Sequence, residues 1–296
     1  MLTFQPCTPQ SCEPLRNADS LLGPRGCDAS IINLCSWQHL YNSSIARYKE
    51  QFILRFNYEG RRAYSLRFRP DGLSDLLASV REDAAATNEK LCILGVNEEL
   101  LPYYIKAAPN LQASYNEDNS DYVYERQALA TLTGHKLQSK RNFLNRFHRN
   151  YPNYVYKPLE EKDVDACLAL DKSWIDKGLT LGHTNEEINE RKTIKYAFDH
   201  WHELQAIGGV IYIEGQLVAF TYGAAINNDT FDVCVEKADT TFEGAYAAIN
   251  NEFVNHLPPQ YKWLNREEDL GIPGLRQAKS TYHPAVRLHK YVLTEQ

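Results

Sequence analysis

GGVIYIEGQLVAFTYGAAINNDTFDVCVE, residues 208–236, is the stretch whose reading decides the fold. It holds three runs of apolar, β-branched and aromatic residues, Gly208–Glu214, Leu217–Ile226 and Thr230–Glu236. Glu214-Gly215 separates the first two and Asn227-Asn228-Asp229 the last two. Turns this short, made of glycine and asparagine, join antiparallel strands, so the stretch predicts a three-strand meander.

Working outward, Glu243–Leu257 reads as a helix, Tyr261–Leu264 as a strand, Asn265–Ser280 as a loop with a short helix, and Val286–Leu293 as a final strand. Upstream lie a strand at Tyr154–Lys157 and helices at Glu160–Lys177 and Glu186–Leu204. This order is that of an α+β N-acyltransferase-type domain. The first half follows the same plan, with strands at Gln51–Phe56, Arg62–Phe68 and Leu91–Val96 and helices at Ser74–Ala86 and Glu98–Ala107. The fold class expected is therefore α+β: two tandem N-acetyltransferase-like (GNAT) domains, each a mixed, mostly antiparallel sheet flanked by helices. The division expected is 17–134, a basic connecting helix at 135–151, and 152–296, after an irregular arm ending near Arg16.

A chain of 296 residues has the length of about two domains of ~150 residues each. With 43% hydrophobic and 11% aromatic residues it is globular rather than disordered. Its apolar runs fall short of the ~20 residues that a membrane helix needs, and its start lacks a secretory signal pattern. Seven cysteines, an odd number, fit reduced thiols, and Cys7 and Cys12 have no second ligand pair for zinc. The nine histidines, His183 among them, show no metal-ligand spacing, so no metal is expected. No G-x-S-x-G elbow or phosphate-binding P-loop occurs, which leaves hydrolase and kinase readings without support. A cytoplasmic protein is expected, or one peripheral to the inner membrane.

The formal net charge is −6, yet Lys136, Lys140, Arg141, Arg146 and Arg149 fall together with no acid between 136 and 150. On a helix, Leu137, Phe143, Leu144, Phe147 and Tyr151 share an apolar arc while Arg141, Arg146 and Arg149 point elsewhere. Lys140 projects within the arc, so it either snorkels out or is paired. The basic residues can contact tRNA phosphates, or the helix can be a wedge between domains whose arginines pair with nearby acids.

Tyr122-Val123-Tyr124, Leu129, Gly134-His135-Lys136-Leu137, Lys140-Arg141-Asn142 and Asn145-Arg146-Phe147, with Gly274-Leu275-Arg276-x-x-Lys279-x-x-Tyr282-x-Pro284, resemble the phosphatidylglycerol lysyltransferase C-terminal domain family. That family includes the catalytic part of multiple-peptide-resistance proteins and stand-alone bacterial members. The resemblance covers about residues 17 to 292. It implies tandem acetyltransferase-like domains related to the peptidoglycan-bridge aminoacyltransferases, with aminoacyl-tRNA as co-substrate and no other cofactor. The implied acceptor is an amine or hydroxyl of a small molecule or lipid headgroup. Lys279 matches the lysine of the family's G-L-R-x-x-K element, and Asp232 the acid of its D-x-x-R motif, where Val235 replaces the arginine. Asn265 matches the asparagine of its N-L-G stretch, and Arg266-Glu267 stands in place of the leucine and glycine.

An aminoacyl ester attacked by an amine or hydroxyl forms an oxyanion, which Lys279 or Arg276 can stabilise. Asp232 or Asp269 can hold an α-amino group or take the acceptor's proton. Asn265, Arg266, Asp269, Arg276 and Tyr282 are the expected substrate-binding residues, although such charges also form surface ion networks at a strand–helix turn. Acyl-CoA is the less favoured donor. Thr241-Phe242-Glu243-Gly244-Ala245-Tyr246 keeps only the central glycine of a pyrophosphate loop, with an acid and a bulky ring where neither fits. A binding protein that has lost catalysis on this scaffold is the remaining alternative.

Overall fold

The computed structural model describes residues 2–18, 20–181 and 185–295, with side chains for all of these except 175–181 and 185–187. His183 lies outside the described residues. The chain forms two compact units. One comprises Met1–Asp121, Glu268–Gly271 and Arg287–Gln296; the other comprises Tyr122–Glu267 and Ile272–Val286. This division differs from the expected 17–134 and 152–296, because the chain returns to its first unit twice near the end.

In the first unit, β1 (Gln5–Pro6), β2 (Ser44–Tyr48), β3 (Gln51–Tyr58), β4 (Arg61–Arg67), β5 (Cys92–Val96) and β6 (Gln112–Tyr115) share one sheet with the chain's last strand, β14 (Tyr291–Thr294). The order is β1-β2-β3-β4-β5-β14-β6, antiparallel throughout except between β4 and β5. Helix α1 (Leu73–Ala85) buries Leu73, Leu76, Leu77, Val80 and Ala84, a single helical stripe, in a core with Ile53, Tyr64, Leu66 and Ile93. Each large aliphatic buried there contributes about 1.5–3 kcal/mol. The N-terminal arm is more ordered than expected. Gln5 and Pro6 pair with β2, and Thr8 and Ser11 form a capping box over the short helix Pro9–Cys12.

The second sheet has the order β13-β7-β12-β11-β10-β9-β8. Its strands are β7 (Asp121–Glu125), β8 (Val155–Pro158), β9 (Ile207–Ile213), β10 (Gln216–Ala225), β11 (Thr230–Ala238), β12 (Trp263–Asn265) and β13 (Val286–Leu288). The predicted meander is β9-β10-β11. The predicted final strand is instead two, β13 and β14, in different sheets, interrupted at His289-Lys290.

Five helices matter in this unit: α2 (Gln138–Asn150), α3 (Val164–Leu181), α4 (Asn185–Asp199), α5 (Ala245–His256) and α6 (Pro273–Ser280). The basic helix α2 buries Leu144 and Phe147 in the unit's own core with Tyr122, Tyr124, Phe231, Phe253 and Leu264. It is thus an integral part of the second unit rather than the expected connector. Phe143, placed on the apolar arc by periodicity, is 40% exposed.

Candidate functional site

The site is built where two parallel strands stop pairing. β11 and β12 align through Thr230↔Trp263, Phe231↔Leu264 and Asp232↔Asn265. Beyond that point β11 continues to Ala238 on β10 alone, whereas the backbone after Asn265 bonds to β7 through Arg266 N–H to the Tyr122 carbonyl, 2.9 Å. Asn265 Oδ1 accepts the N–H of Glu267 at 2.7 Å, and Glu267 takes a left-handed φ of 58°. This side-chain turn explains how asparagine ends the strand and swings Glu267 round. On the facing strand, Tyr222 pairs with Val235 and Gly223 with Val233, so Cys234 is the extra residue of a bulge. A Cβ on Gly223 would lie 1.7 Å from the Asp232 carbonyl oxygen, which is why only glycine fits there.

Asp232 and Asn265 are fully buried. The carboxylates of Asp232 and Glu267 and the thiol of Cys234 each offer one ligand atom, all within 4.8 Å of one another, a spacing that a cationic group can bridge. Burial pushes the Cys234 thiol well above its usual range, and the two neighbouring acids push it further. The Tyr222 hydroxyl is buried and has no hydrogen-bond partner. Burial raises its pKa first, then the charges of Cys234, Glu190, Glu267 and Asp171, so this phenol faces the acidic groups. Beside it, Asp171 of α3 accepts from Arg191 at 3.3 Å, and Lys237 of β11 pairs with Glu190 of α4 at 2.6 Å.

Across the parting strands, Arg266 Nη2 meets Glu236 Oε1 at 2.7 Å, both side chains being about nine-tenths buried. Burial opposes the Arg266 charge, but Glu236 and the rings of Tyr124 and Tyr282 outweigh it and raise the pKa. The guanidinium sits 4.9 Å from the Tyr282 ring centroid, and the Lys140 ammonium 4.2 Å from the same ring. Burial first, and Arg266 second, bring Lys140 down to about 8, with Glu236 opposing. Burial also raises Tyr282, partly offset by Arg266, to about 12.

Lys279 is 9% exposed on α6, its Nζ 5.9 Å from the Tyr122 ring centroid and its carbonyl accepting from Tyr124 Oη at 2.8 Å. Thus Asp232, Asn265 and Arg266 line the parting strands, Arg266 and Lys140 share Tyr282, and Lys279 packs on β7. Arg276 lies half-buried on α6. Asp269 belongs to the first unit, where it accepts from Gly271 N–H at 2.9 Å and lies 3.8 Å from Arg287. The five basic residues of α2 and its approach separate into different roles. Arg141 donates to the carbonyls of Leu132 and Gly134 and to Gln138, and Arg146 pairs with Glu243. Arg149 is exposed, while Lys136 and Lys140 line a cleft of about 440 Å³ against α6.

Gly244, the glycine of the expected pyrophosphate loop, has φ 88°, and a Cβ on it would lie 2.6 Å from the Phe143 carbonyl oxygen and 2.9 Å from Phe147 Cβ. It therefore seats α2 closely against the start of α5. Periodicity missed Cys234 and Glu236. The available signal was the polar alternation Asp232-x-Cys234-x-Glu236 inside an otherwise apolar strand.

The fold is a tandem GNAT-like α+β architecture. The chain belongs to the family described as phosphatidylglycerol lysyltransferase, C-terminal, whose model matches residues 19–294. A conserved protein of unknown function from Bacteroides thetaiotaomicron is 37% identical, with TM-score 0.94 and 100% of both chains covered. L-PGS from Bacillus licheniformis shares the fold at 13% identity and TM-score 0.69, over 98% of this chain and 93% of that one. The uncharacterized protein MYCGA3080 of Mycoplasmoides gallisepticum is 24% identical over 180 residues, 60% of this chain. The match spans 57% of that relative's length. No helix among the described residues is long and apolar enough to cross a membrane.

Proposed function

We propose that this chain is an aminoacyltransferase that passes an aminoacyl group from aminoacyl-tRNA to an amine or hydroxyl acceptor, a small molecule or a lipid headgroup. The observation that carries this reading is the buried acidic end of the β11–β12 pairing, with the Tyr222 hydroxyl left without a partner. An aminoacyl group differs from an acetyl group by an α-ammonium, and Asp232, Glu267 and Tyr222 offer the acceptors for one. A buried ammonium needs such neighbours to offset its lost hydration.

The acceptor's lone pair attacks the ester carbonyl, and after a tetrahedral oxyanion has formed the C–O bond to the tRNA ribose breaks, the ribose oxygen leaving with the proton that the acceptor gives up. Lys279, 9% exposed and hence largely out of water, supplies positive charge to that oxyanion, an effect strongest where water is excluded. Asp232 holds the ammonium or takes the acceptor's proton. Asn265 and Arg266 shape the floor, Arg266 being fixed by Glu236 and Tyr282. Gly244 supports a tRNA donor over acyl-CoA, since the space before the start of α5 is filled by α2.

The test is to incubate the protein with labelled aminoacyl-tRNAs and a cell extract. Label moving to a product, with a rate about 10²–10³-fold lower in a folded Lys279→Ala variant, is the expected result. Binding of the tRNA without transfer would mark a non-catalytic binding protein, and a full rate in Lys279→Ala would remove that residue's role.

A further inference from the structure

The cleft between the start of α2 and α6 is lined by Lys136, Ser139, Lys140, Phe143, Gln277 and Thr281, among others, and encloses about 440 Å³. Such a volume is in the range of sites for small ligands or single groups of larger ones. Its charge is unbalanced. Among the described residues neither Lys136 nor Lys140 makes an ion pair, and behind Lys140 the buried Arg266 has one acid, Glu236, while its Nη1 has no hydrogen-bond partner. Three cations therefore stand against one carboxylate. The charged and titratable groups facing Lys140 are Arg266 beyond β12, Glu236 on β11 and Tyr282 after α6; Lys136 and His283 share its cleft. Phe143 also lines it with 40% of its surface in solvent, unlike Phe147 one turn on, which is fully buried.

We propose that this cleft binds the single-stranded 3′ end of an RNA, with one phosphodiester between Lys136 and Lys140 and a base stacked on Phe143. Lysines beside an exposed aromatic ring are the pairing that single-stranded nucleic acid uses, the cations meeting the backbone and the ring meeting a base whatever its identity. Ser139, Gln277 and Thr281 supply donors and acceptors for a 2′-hydroxyl or a base edge. This inference rests on the aminoacyl-tRNA reading and identifies where the donor's unpaired end is held. It also explains why the depressed Lys140 has no acid partner: the phosphate is that partner, and on binding it holds the proton to higher pH.

The experiment uses the full chain and a fluorescent single-stranded RNA ending in CCA, followed by anisotropy at 50 and 200 mM salt. The Lys136→Met/Lys140→Met double variant lowers the log–log salt slope by about 0.7, the value for one fewer phosphate neutralised on a single strand, and each single variant lowers it by less. Phe143→Ala weakens binding about 5- to 150-fold. Lys162→Ala, an exposed charge outside the cleft, leaves binding unchanged. Isothermal titration in buffers of different ionisation enthalpy shows proton uptake above pH 8 in the parent and none in Lys140→Met.

Equal binding by all variants overturns the assignment. So does competition at equal charge by inorganic phosphate, or by vesicles containing phosphatidylglycerol, which would hand the cleft to a different ligand. Cleft-dependent RNA binding with no transfer to any acceptor sinks the enzymatic reading and keeps the cleft. Transfer with unaltered KM in the Lys136→Met/Lys140→Met double variant sinks the cleft alone.

Discussion

Lys290 in the first unit and Lys140 in the second are both lysines drawn out of water, and their surroundings treat them in opposite ways. The Lys290 ammonium lies 2.8 Å from Asp28, 2.9 Å from Asp121 and 3.6 Å from the Cys27 thiol, and it also pairs with Glu268. Burial alone would lower its pKa, but Asp121, Asp28, Cys27 and Glu268 together raise it well above the usual value. Lys140 has an aromatic ring and a neighbouring guanidinium instead, and falls to about 8. The first cluster is closed around its cation, which has three carboxylates within ion-pair reach, and the excess of acid adds to burial in raising Glu268. The second is open, with cations awaiting an anion. Tyr222 shows the same incompleteness on the acidic side of the second unit. Buried charge thus serves structure in one place and points to a ligand in the other, and the distinction lies in the partners.

Removing the central cation of the closed cluster gives the largest expected effect. Lys290→Met leaves buried acids uncompensated and lowers unfolding free energy by about 3–5 kcal/mol in urea titrations. A loss under about 1 kcal/mol would show that the ammonium does not hold the cluster together. The open cluster responds in binding instead. Lys140 is protonated below pH 8 and loses its charge as pH rises through 8, so affinity for the RNA end falls between pH 7 and 9. Lys140→Met flattens that profile, and a pH response surviving in the variant would assign it to another group.

Tyr222→Phe sharpens the contrast further. Deleting a buried hydroxyl that has no partner leaves stability unchanged or raises it by up to about 1 kcal/mol, while aminoacyl transfer slows. A clear stability loss by thermal melting would mean that the hydroxyl is structural. Arg146→Ala marks the small end. Its pair with Glu243 is about half exposed on both sides, so the change costs at most about 1 kcal/mol, read from the same melting curves.

Much of this was legible in the chain. Gly-rich and Asn-rich turns announced the β9-β10-β11 meander, and the stripe from Leu73 to Ala84 announced α1. Legibility failed where partners come from far along the sequence. Nothing near Lys290 indicates that Cys27 and Asp121 await it, and the apparent single strand Val286–Leu293 is interrupted at His289-Lys290, where the lysine meets them. Asp269 sits four residues from Asn265 yet belongs to the other unit. Similarly, Arg141 reads as a surface cation, although it satisfies orphan carbonyls before the helix, whereas the reading that the arginines pair with nearby acids holds for Arg146 with Glu243.

By itself the sequence determined the α+β class, the meander, the family and the residue types available for acyl transfer, since local periodicity, turn chemistry and motif spacing need no distant partner. Tertiary structure alone decided which charges are closed and which are open. That outcome depends on the end of the β11–β12 pairing, the bulge at Cys234 and the packing of α2 against α6. Desolvation and the balance of opposing charges around each group are properties of the folded neighbourhood, and no residue carries them in its own identity.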